Sequence, residues 1–116
     1  MIDDKARELG RFIGQSPEYQ AVKRASGALN DDRDALTLIR RMEEIRMDAE
    51  RMIARGEQPT VEMEQELDSL LMRVQGNAVY QQMAVAQENF DKLMSRVNEL
   101  ILDGIQKGAT SSIITL

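Results

Sequence analysis

Acidic side chains are the first candidates for chemistry in this sequence. Asp31, Asp32 and Asp34 are close together in the way that the start of a calcium loop would place them. An EF-hand loop also needs Gly at its sixth position, and counting from Asp32 puts Thr37 there. Helical periodicity then begins again at Ala35. We therefore interpret the three aspartates as a helix cap.

Two groups of glutamates are candidates for acid–base catalysis or for a two-metal site: Glu43, Glu44 and Glu50, and Glu62, Glu64 and Glu66. Metal sites in helical bundles use Glu-x-x-His pairs, and the sequence has no His and no Cys. It therefore lacks the commonest general base and a thiolate nucleophile. The sequence also has no glycine-rich phosphate loop. We interpret the glutamates as solvated helix faces and predict no enzymatic activity, no metal and no cofactor.

The methionines and arginines are candidates for soft-metal binding and for RNA binding. Most of the eight Met residues fall on or beside apolar helical stripes, which indicates packing in a core or an interface. Arg40, Arg41, Arg46, Arg51 and Arg55 would suit a phosphate-binding face, but the net charge of −5 is unfavourable for a general nucleic-acid binder. The stretch 57–68 is acidic and has no basic residue. We favour ion pairs between these two segments and expect no direct nucleic-acid partner.

Targeting signals are not apparent in the sequence. Its N-terminus is acidic and has no apolar segment of the kind found in signal peptides. No apolar run has the length needed to cross a bilayer. We expect a cytoplasmic protein without membrane insertion.

The stretch from Asn77 to Gly104 predicts a long helix with one apolar stripe. We predict that this stripe is an interface with a second chain. A helix of this length runs roughly 42 Å, whereas a compact domain of this size has a radius of gyration of only about 13 Å. One monomer would therefore leave part of the stripe uncovered. The predicted interface residues are Val79, Met83, Ala86, Phe90, Leu93, Met94, Val97, Leu100 and Ile101.

The remainder of the chain predicts further helices and short connections. The predicted helices run from about 3 to 13, from Pro17, from an Asn30-Asp31-Asp32 cap to about Arg55, and from a Thr60 cap, with Ser16 and Asn77 as the other caps. The third helix has a stripe that matches the last one in period, so these two long helices are expected to pack side by side. The predicted fold is all-α: an elongated, dimeric bundle of four to five helices with two long antiparallel helices. Residues 1–106 form its one domain, and 107–116 a flexible C-terminal tail.

Several motifs resemble the YlbF/YmcA family of small helical bacterial proteins. The most specific are Ser16-Pro17-Glu18-Tyr19 and Asn77-x-Val79 at the start of the last helix. The similarity covers roughly residues 3 to 103 and includes Ala6-x-x-Leu9-Gly10, Ala25, Leu29, Asp32, Met83, Ala86, Phe90, Leu93, Met94 and Val97.

The resemblance implies a dimer-forming regulatory protein without catalytic residues. The best-known members assemble with sister proteins and influence mRNA processing by a ribonuclease, and some bind iron–sulfur clusters through cysteines that this chain lacks. We therefore expect a non-catalytic adaptor that forms homodimers, acts through protein–protein interaction and modulates RNA processing or developmental regulation. Sister family proteins or a ribonuclease complex are the expected further partners. The alternative is a structural or chaperone-like coiled-coil protein that holds clients.

Overall fold

A computed structural model describes residues 1–110 of the chain, and this part contains five helices and no strand. The all-α prediction is thus confirmed. The helices are α1 (Ile2–Gly14), α2 (Pro17–Asn30), α3 (Arg33–Ala54), α4 (Val61–Gln75) and α5 (Ala78–Thr110). Helix α5 extends four residues beyond the boundary predicted at residue 106. The remaining residues of the predicted tail, 111–116, lie outside the described part.

Side-chain caps fix the starts of α3 and α4 as predicted. The backbone N–H of Ala35 donates to Asp32 Oδ1 at 3.0 Å, and that of Met63 donates to Thr60 Oγ1 at 3.1 Å. Each bond satisfies one of the N–H groups that the first turn of a helix leaves without a partner. The carboxylate of Asp32 thus serves as a helix cap, which agrees with our preference over a calcium loop.

Helices α4 and α5 are separate helices, and α5 has its own N-terminal cap. Helix α4 ends at Gln75, and the Tyr80 N–H donates to Asn77 Oδ1 at 2.9 Å. The Gln81 side chain also donates to the Gln75 carbonyl at 2.6 Å, which ties the new helix to the end of the previous one. The N-x-V motif therefore starts α5.

The chain divides into two compact units, and the boundaries fall within α2 and α5. The first unit consists of Met1–Val22 and the part of α5 from Ala86 onwards. The second, Lys23–Val85, contains α3 and α4, which pack along each other. The expectation that α3 also packs along α5 concerns residues of both units and stays a prediction.

The second unit has its core between α3 and α4. Ala35 and Ile45 of α3 are buried, as are Leu70 and Val74 of α4. A short connection joins the two helices, so they run antiparallel. Its second residue, Gly56, lies in the left-handed region (φ 79°), and the Gly56 N–H donates to the Ile53 carbonyl at 3.0 Å. This is a glycine-terminated helix end.

Candidate interaction surface

The Ser-Pro-Glu-Tyr motif builds the turn between α1 and α2. Ser16 Oγ accepts from the Tyr19 N–H at 3.1 Å and donates to the Ile13 carbonyl at 2.6 Å. The Gln20 side chain donates to the Gly14 carbonyl at 2.8 Å. The turn thus satisfies groups at the end of one helix and the start of the next. The Ser16 hydroxyl is thus engaged with backbone groups of both helices.

The same motif connects α2 to α5. The rings of Tyr19 and Phe90 lie with centroids 5.7 Å apart and planes tilted by 58°, a geometry that aromatic pairs favour. Beside this contact, Pro17 and Ala21 of α2 line an open groove with Leu93 of α5. Its volume is about 470 Å³, and Glu18, Asn89, Lys92 and Arg96 supply its polar lining. Phe90 and Leu93 of the predicted interface therefore take part in packing within their own chain.

The nine predicted interface residues, which we call the α5 seam, become more exposed towards the C-terminus of α5. Ala86 is buried, and Val79, Met83, Phe90, Leu93, Met94 and Val97 are half-buried. Leu100 is 58% exposed and Ile101 is 46% exposed. Leu100 and Ile101 thus present the most apolar surface of the seam.

Sequence reasoning missed other exposed apolar residues of the first unit. Leu102 and Ile105 follow the seam along α5 and are also exposed, and the run Leu100-Ile101-Leu102 was the available signal. Helix α1 has no buried residue at all. Met1, Ile2, Leu9 and Phe12, at the other end of the chain, are likewise exposed.

In the second unit, a forked ion pair joins α3 to α4. Arg41 Nε and Nη2 donate to the two carboxylate oxygens of Glu66 at 2.7 and 3.0 Å, and Nη1 donates to Glu44 at 3.1 Å. The hydrogen bonds that Arg41 donates to Glu66 and Glu44 raise the pKa of its guanidinium above the ordinary value. In return, the hydrogen bond from Arg41 lowers the pKa of the Glu66 carboxyl. This pairing fits the predicted attraction between the basic and acidic helices.

The other candidate arginines for RNA binding are mostly paired with carboxylates nearby. Arg46 pairs with Glu43, Arg51 with Asp48 at 3.2 Å, and Arg55 with Glu57 at 3.6 Å. Such neighbours reduce the positive potential that a phosphate backbone would meet. The geometry favours our interpretation that these arginines make ion pairs.

Within residues 1–110, the acidic side chains do not assemble into a metal site. No group of three or more acidic residues there is arranged to hold a metal ion. Glu43, Glu44 and Glu66 are engaged with arginines instead. Over the same residues, none of the helices combines the length and the apolar character needed to cross a membrane.

Known proteins provide an independent comparison for this arrangement of helices. Residues 2–106 match the family model described as control of competence regulator ComK, YlbF/YmcA. The match covers all five helices almost to the end of α5. The description is regulatory and names no enzymatic reaction.

Several bacterial relatives are similar over most of their length, and each is named only as a UPF0342 protein. The relative from Streptococcus mutans is 29% identical over 105 residues, which is 90% of this chain and 93% of the relative. The relative from Limosilactobacillus reuteri is also 29% identical, over 90% of this chain and 85% of its own. The relative from Streptococcus gordonii is 27% identical, over 90% and 94%.

Proposed function

The chain belongs to the YlbF/YmcA family, and we propose on that basis that it is a non-catalytic adaptor that regulates through protein–protein interaction. The observation that carries the proposal is the gradient along the α5 seam. Its first residues are covered by their own chain, and its last two, Leu100 and Ile101, remain exposed. Clustered exposed apolar side chains of this kind mark interaction sites.

The first partner that we propose is a second copy of the chain, which contacts the α5 seam. Leu100 and Ile101 form the part of the α5 seam that a partner can contact without any rearrangement of the chain. Beyond the homodimer, sister family proteins or a ribonuclease complex are the partners that the family resemblance implies. The resulting assembly would modulate RNA processing or developmental regulation.

Affinity capture from the native organism tests the adaptor role. We compare the wild type with a seam variant, Leu100→Gln/Ile101→Gln, and with a control, Ile53→Gln/Met72→Gln, which removes two even more exposed apolar side chains from the second unit. All four positions are exposed in helices, and glutamine is a good helix former, so both variants should fold. The proposal predicts discrete proteins that co-purify with the wild type and the control and are lost with the seam variant.

A set of captured proteins that is the same for all three forms would contradict the proposal. The client-holding alternative predicts a different result, because exposed apolar surface also binds unfolded chains without selectivity. In that case the purified protein, at equal molar ratio, would suppress the aggregation of a heat-denatured model enzyme. The adaptor proposal predicts no such suppression.

A further inference from the structure

The open groove that Pro17 and Ala21 of α2 form with Leu93 of α5, which we call the α2/α5 groove, is a feature that the proposed function does not use. All of its lining residues belong to the first compact unit. Pro17 and Ala21 are four positions apart and therefore share one side of α2. Their side chains are short, which leaves a space beside Leu93 that a larger residue at position 21 would fill.

The shape of the α2/α5 groove suits a segment of a protein better than a small molecule. Sites for small molecules bury about 70–90% of their ligand, which requires a cleft that closes around it. This groove is open to solvent and has a volume of about 470 Å³, which is room for a few side chains. Grooves between helices bind peptide segments through apolar anchor side chains. We therefore expect a peptide segment that stays partly in contact with solvent.

Arg96 gives the α2/α5 groove a positive charge that the described part of the chain does not neutralise. Arg96 makes no ion pair within residues 1–110, whereas the Lys92 ammonium lies 3.3 Å from a Glu88 carboxylate oxygen. The lining contains these two basic residues and one acidic residue, Glu18, although the whole chain has a net charge of −5. A guanidinium binds a carboxylate through two parallel hydrogen bonds. The groove therefore favours a segment that carries a carboxylate.

Neighbouring carboxylates disfavour nucleic acid as the occupant of the groove. Glu88, Asp91 and Glu99 lie beside Lys92 and Arg96 on the adjoining face of α5. A nucleic acid carries a negative charge at every phosphate and gains its affinity from several basic contacts at once. Its phosphates would meet these three carboxylates, whereas a peptide segment needs to bring only one carboxylate to the Arg96 guanidinium.

We propose that the α2/α5 groove binds a segment of a partner protein in which a large apolar residue lies close to an aspartate or glutamate. The apolar side chain packs against Pro17, Ala21 and Leu93, and the carboxylate accepts hydrogen bonds from Arg96. The Asn89 amide, which also lines the groove, is available to the main chain of the segment. This assignment rests on the proposed function and deepens it, because it states the chemistry of the partner and adds α2 to the surface that meets it.

Selection from random peptides tests the proposal without knowledge of the natural partner. Phage that display short random peptides are selected on the immobilised full chain and, in parallel, on Arg96→Gln, Ala21→Leu and the control Arg73→Gln. Arg96 and Arg73 are both exposed in helices and without an ion pair within residues 1–110, so the two glutamine variants remove the same charge. The wild type and Arg73→Gln should enrich the same peptides, each with an acidic residue near a large apolar one. The two groove variants should not enrich them.

Fluorescence anisotropy with a labelled synthetic copy of the most enriched peptide measures the contact. We expect Arg96→Gln to raise the dissociation constant roughly 10- to 100-fold, as loss of a charge-assisted hydrogen bond would produce. Ala21→Leu should raise it about tenfold or more because the leucine side chain occupies the groove. Arg73→Gln should stay within about twofold of the wild type.

Changes in the peptide identify the group that Arg96 binds. Replacement of its acidic residues by the corresponding amides should weaken binding to the wild type by a factor similar to that of Arg96→Gln. The same replacement should have little further effect on binding to Arg96→Gln, because the two groups contact each other. An equal loss with both proteins would show that the carboxylate does not bind Arg96 and would overturn the proposal.

Two further results in solution would also overturn it. In the first, no peptide is enriched, or the enriched peptides bind Arg96→Gln and Ala21→Leu as tightly as they bind the wild type. In the second, labelled single-stranded RNA of random sequence binds the wild type more tightly than the enriched peptide does and loses affinity with Arg96→Gln. The groove would then bind phosphates.

Affinity capture separates failure of this proposal from failure of the adaptor role. If Arg96→Gln captures every protein that the wild type captures while Leu100→Gln/Ile101→Gln does not, the groove takes no part and the adaptor role stands. If the seam variant captures every protein and Arg96→Gln loses some of them, the groove stands and the α5 seam does not. If the wild type and both variants capture the same set, both proposals fail.

Discussion

At the scale of single residues, Arg41 determines how charge is arranged between α3 and α4. Its guanidinium binds both carboxylate oxygens of Glu66 and one of Glu44. A forked pair of this kind fixes the relative position of two helices better than a single contact does. Arg41 and Glu66 remain exposed, so solvent screens the pair and it contributes to register more than to stability.

The Arg41–Glu66 pair makes stability depend on pH in one direction. The Glu66 pKa is lower in the folded chain than in the unfolded one, so the pair stabilises the fold above the unfolded pKa. That contribution is lost as pH falls through the folded pKa, below the ordinary value of 4.5. The urea midpoint of Glu66→Gln should therefore lie below that of the wild type at about pH 6 and approach it at about pH 3.

Glu64→Gln is the control for this prediction. The Glu64 carboxylate has no hydrogen bond or ion pair within residues 1–110 and lies on the same helix. The urea midpoint of Glu64→Gln, compared with that of the wild type, should not show the pH dependence expected for Glu66→Gln. If Glu66→Gln lowers the urea midpoint by the same amount at both pH values, Arg41 does not favour the ionised form of the Glu66 carboxyl.

At the scale of elements, the starts of the helices were predictable and the burial of their faces was not. Asp32, Thr60 and Asn77 cap helices through bonds to residues three positions along, so the short-range sequence contains the signal. An apolar stripe in α1 was equally visible, but whether another element covers it depends on contacts distant in sequence. The predicted interface likewise named Leu100 and Ile101 and left out Leu102 and Ile105.

Helix α5 continues through Gly104 and Gly108, which lie on either side of the boundary predicted at residue 106. Gly104 and Gly108 cost only about 1 kcal/mol each in a helix relative to alanine. The Lys107–Asp103 pair and a bond from the Thr110 hydroxyl to the Gln106 carbonyl, at 3.1 Å, accompany the continued helix. Helix α5 therefore includes residues 107–110, where we predicted a flexible tail, and the prediction for 111–116 lies outside the described residues.

Two isoleucines of α3 test the packing between α3 and α4. Ile45 is 3% exposed and faces α4, whereas Ile53 is 61% exposed on the same helix. Ile45→Ala should lower the free energy of unfolding by about 2–5 kcal/mol because it leaves a cavity. Ile53→Ala should change it by only about 0.5 kcal/mol. Urea unfolding of both variants and the wild type, repeated at several matched protein concentrations, measures both losses.

Equal losses for the two isoleucine variants would contradict the α3–α4 core. A loss at Ile53 that grows with protein concentration would instead indicate that a partner covers this end of α3. Ile45→Ala should then lower the free energy of unfolding by the same amount at every protein concentration, since the contacts of Ile45 lie within the chain.

At the scale of the whole molecule, family membership and exposed surface suggest the same kind of activity. The family is described by control of a competence regulator, and the described residues contain no group arranged for metal binding. The apolar side chains of α1 and the end of α5 remain available for a partner. We therefore propose that the protein regulates by contacting partners and that regulation requires the α5 seam.

Genetic complementation tests that claim most directly. The gene is deleted in the native organism, and transcript profiles are compared after return of the wild type, Leu100→Gln/Ile101→Gln or the control Ile53→Gln/Met72→Gln at equal protein levels. We predict that deletion alters a defined set of transcripts and that the wild type and the control restore it, whereas the seam variant does not. Full restoration by a seam variant that is monomeric in solution would contradict the account.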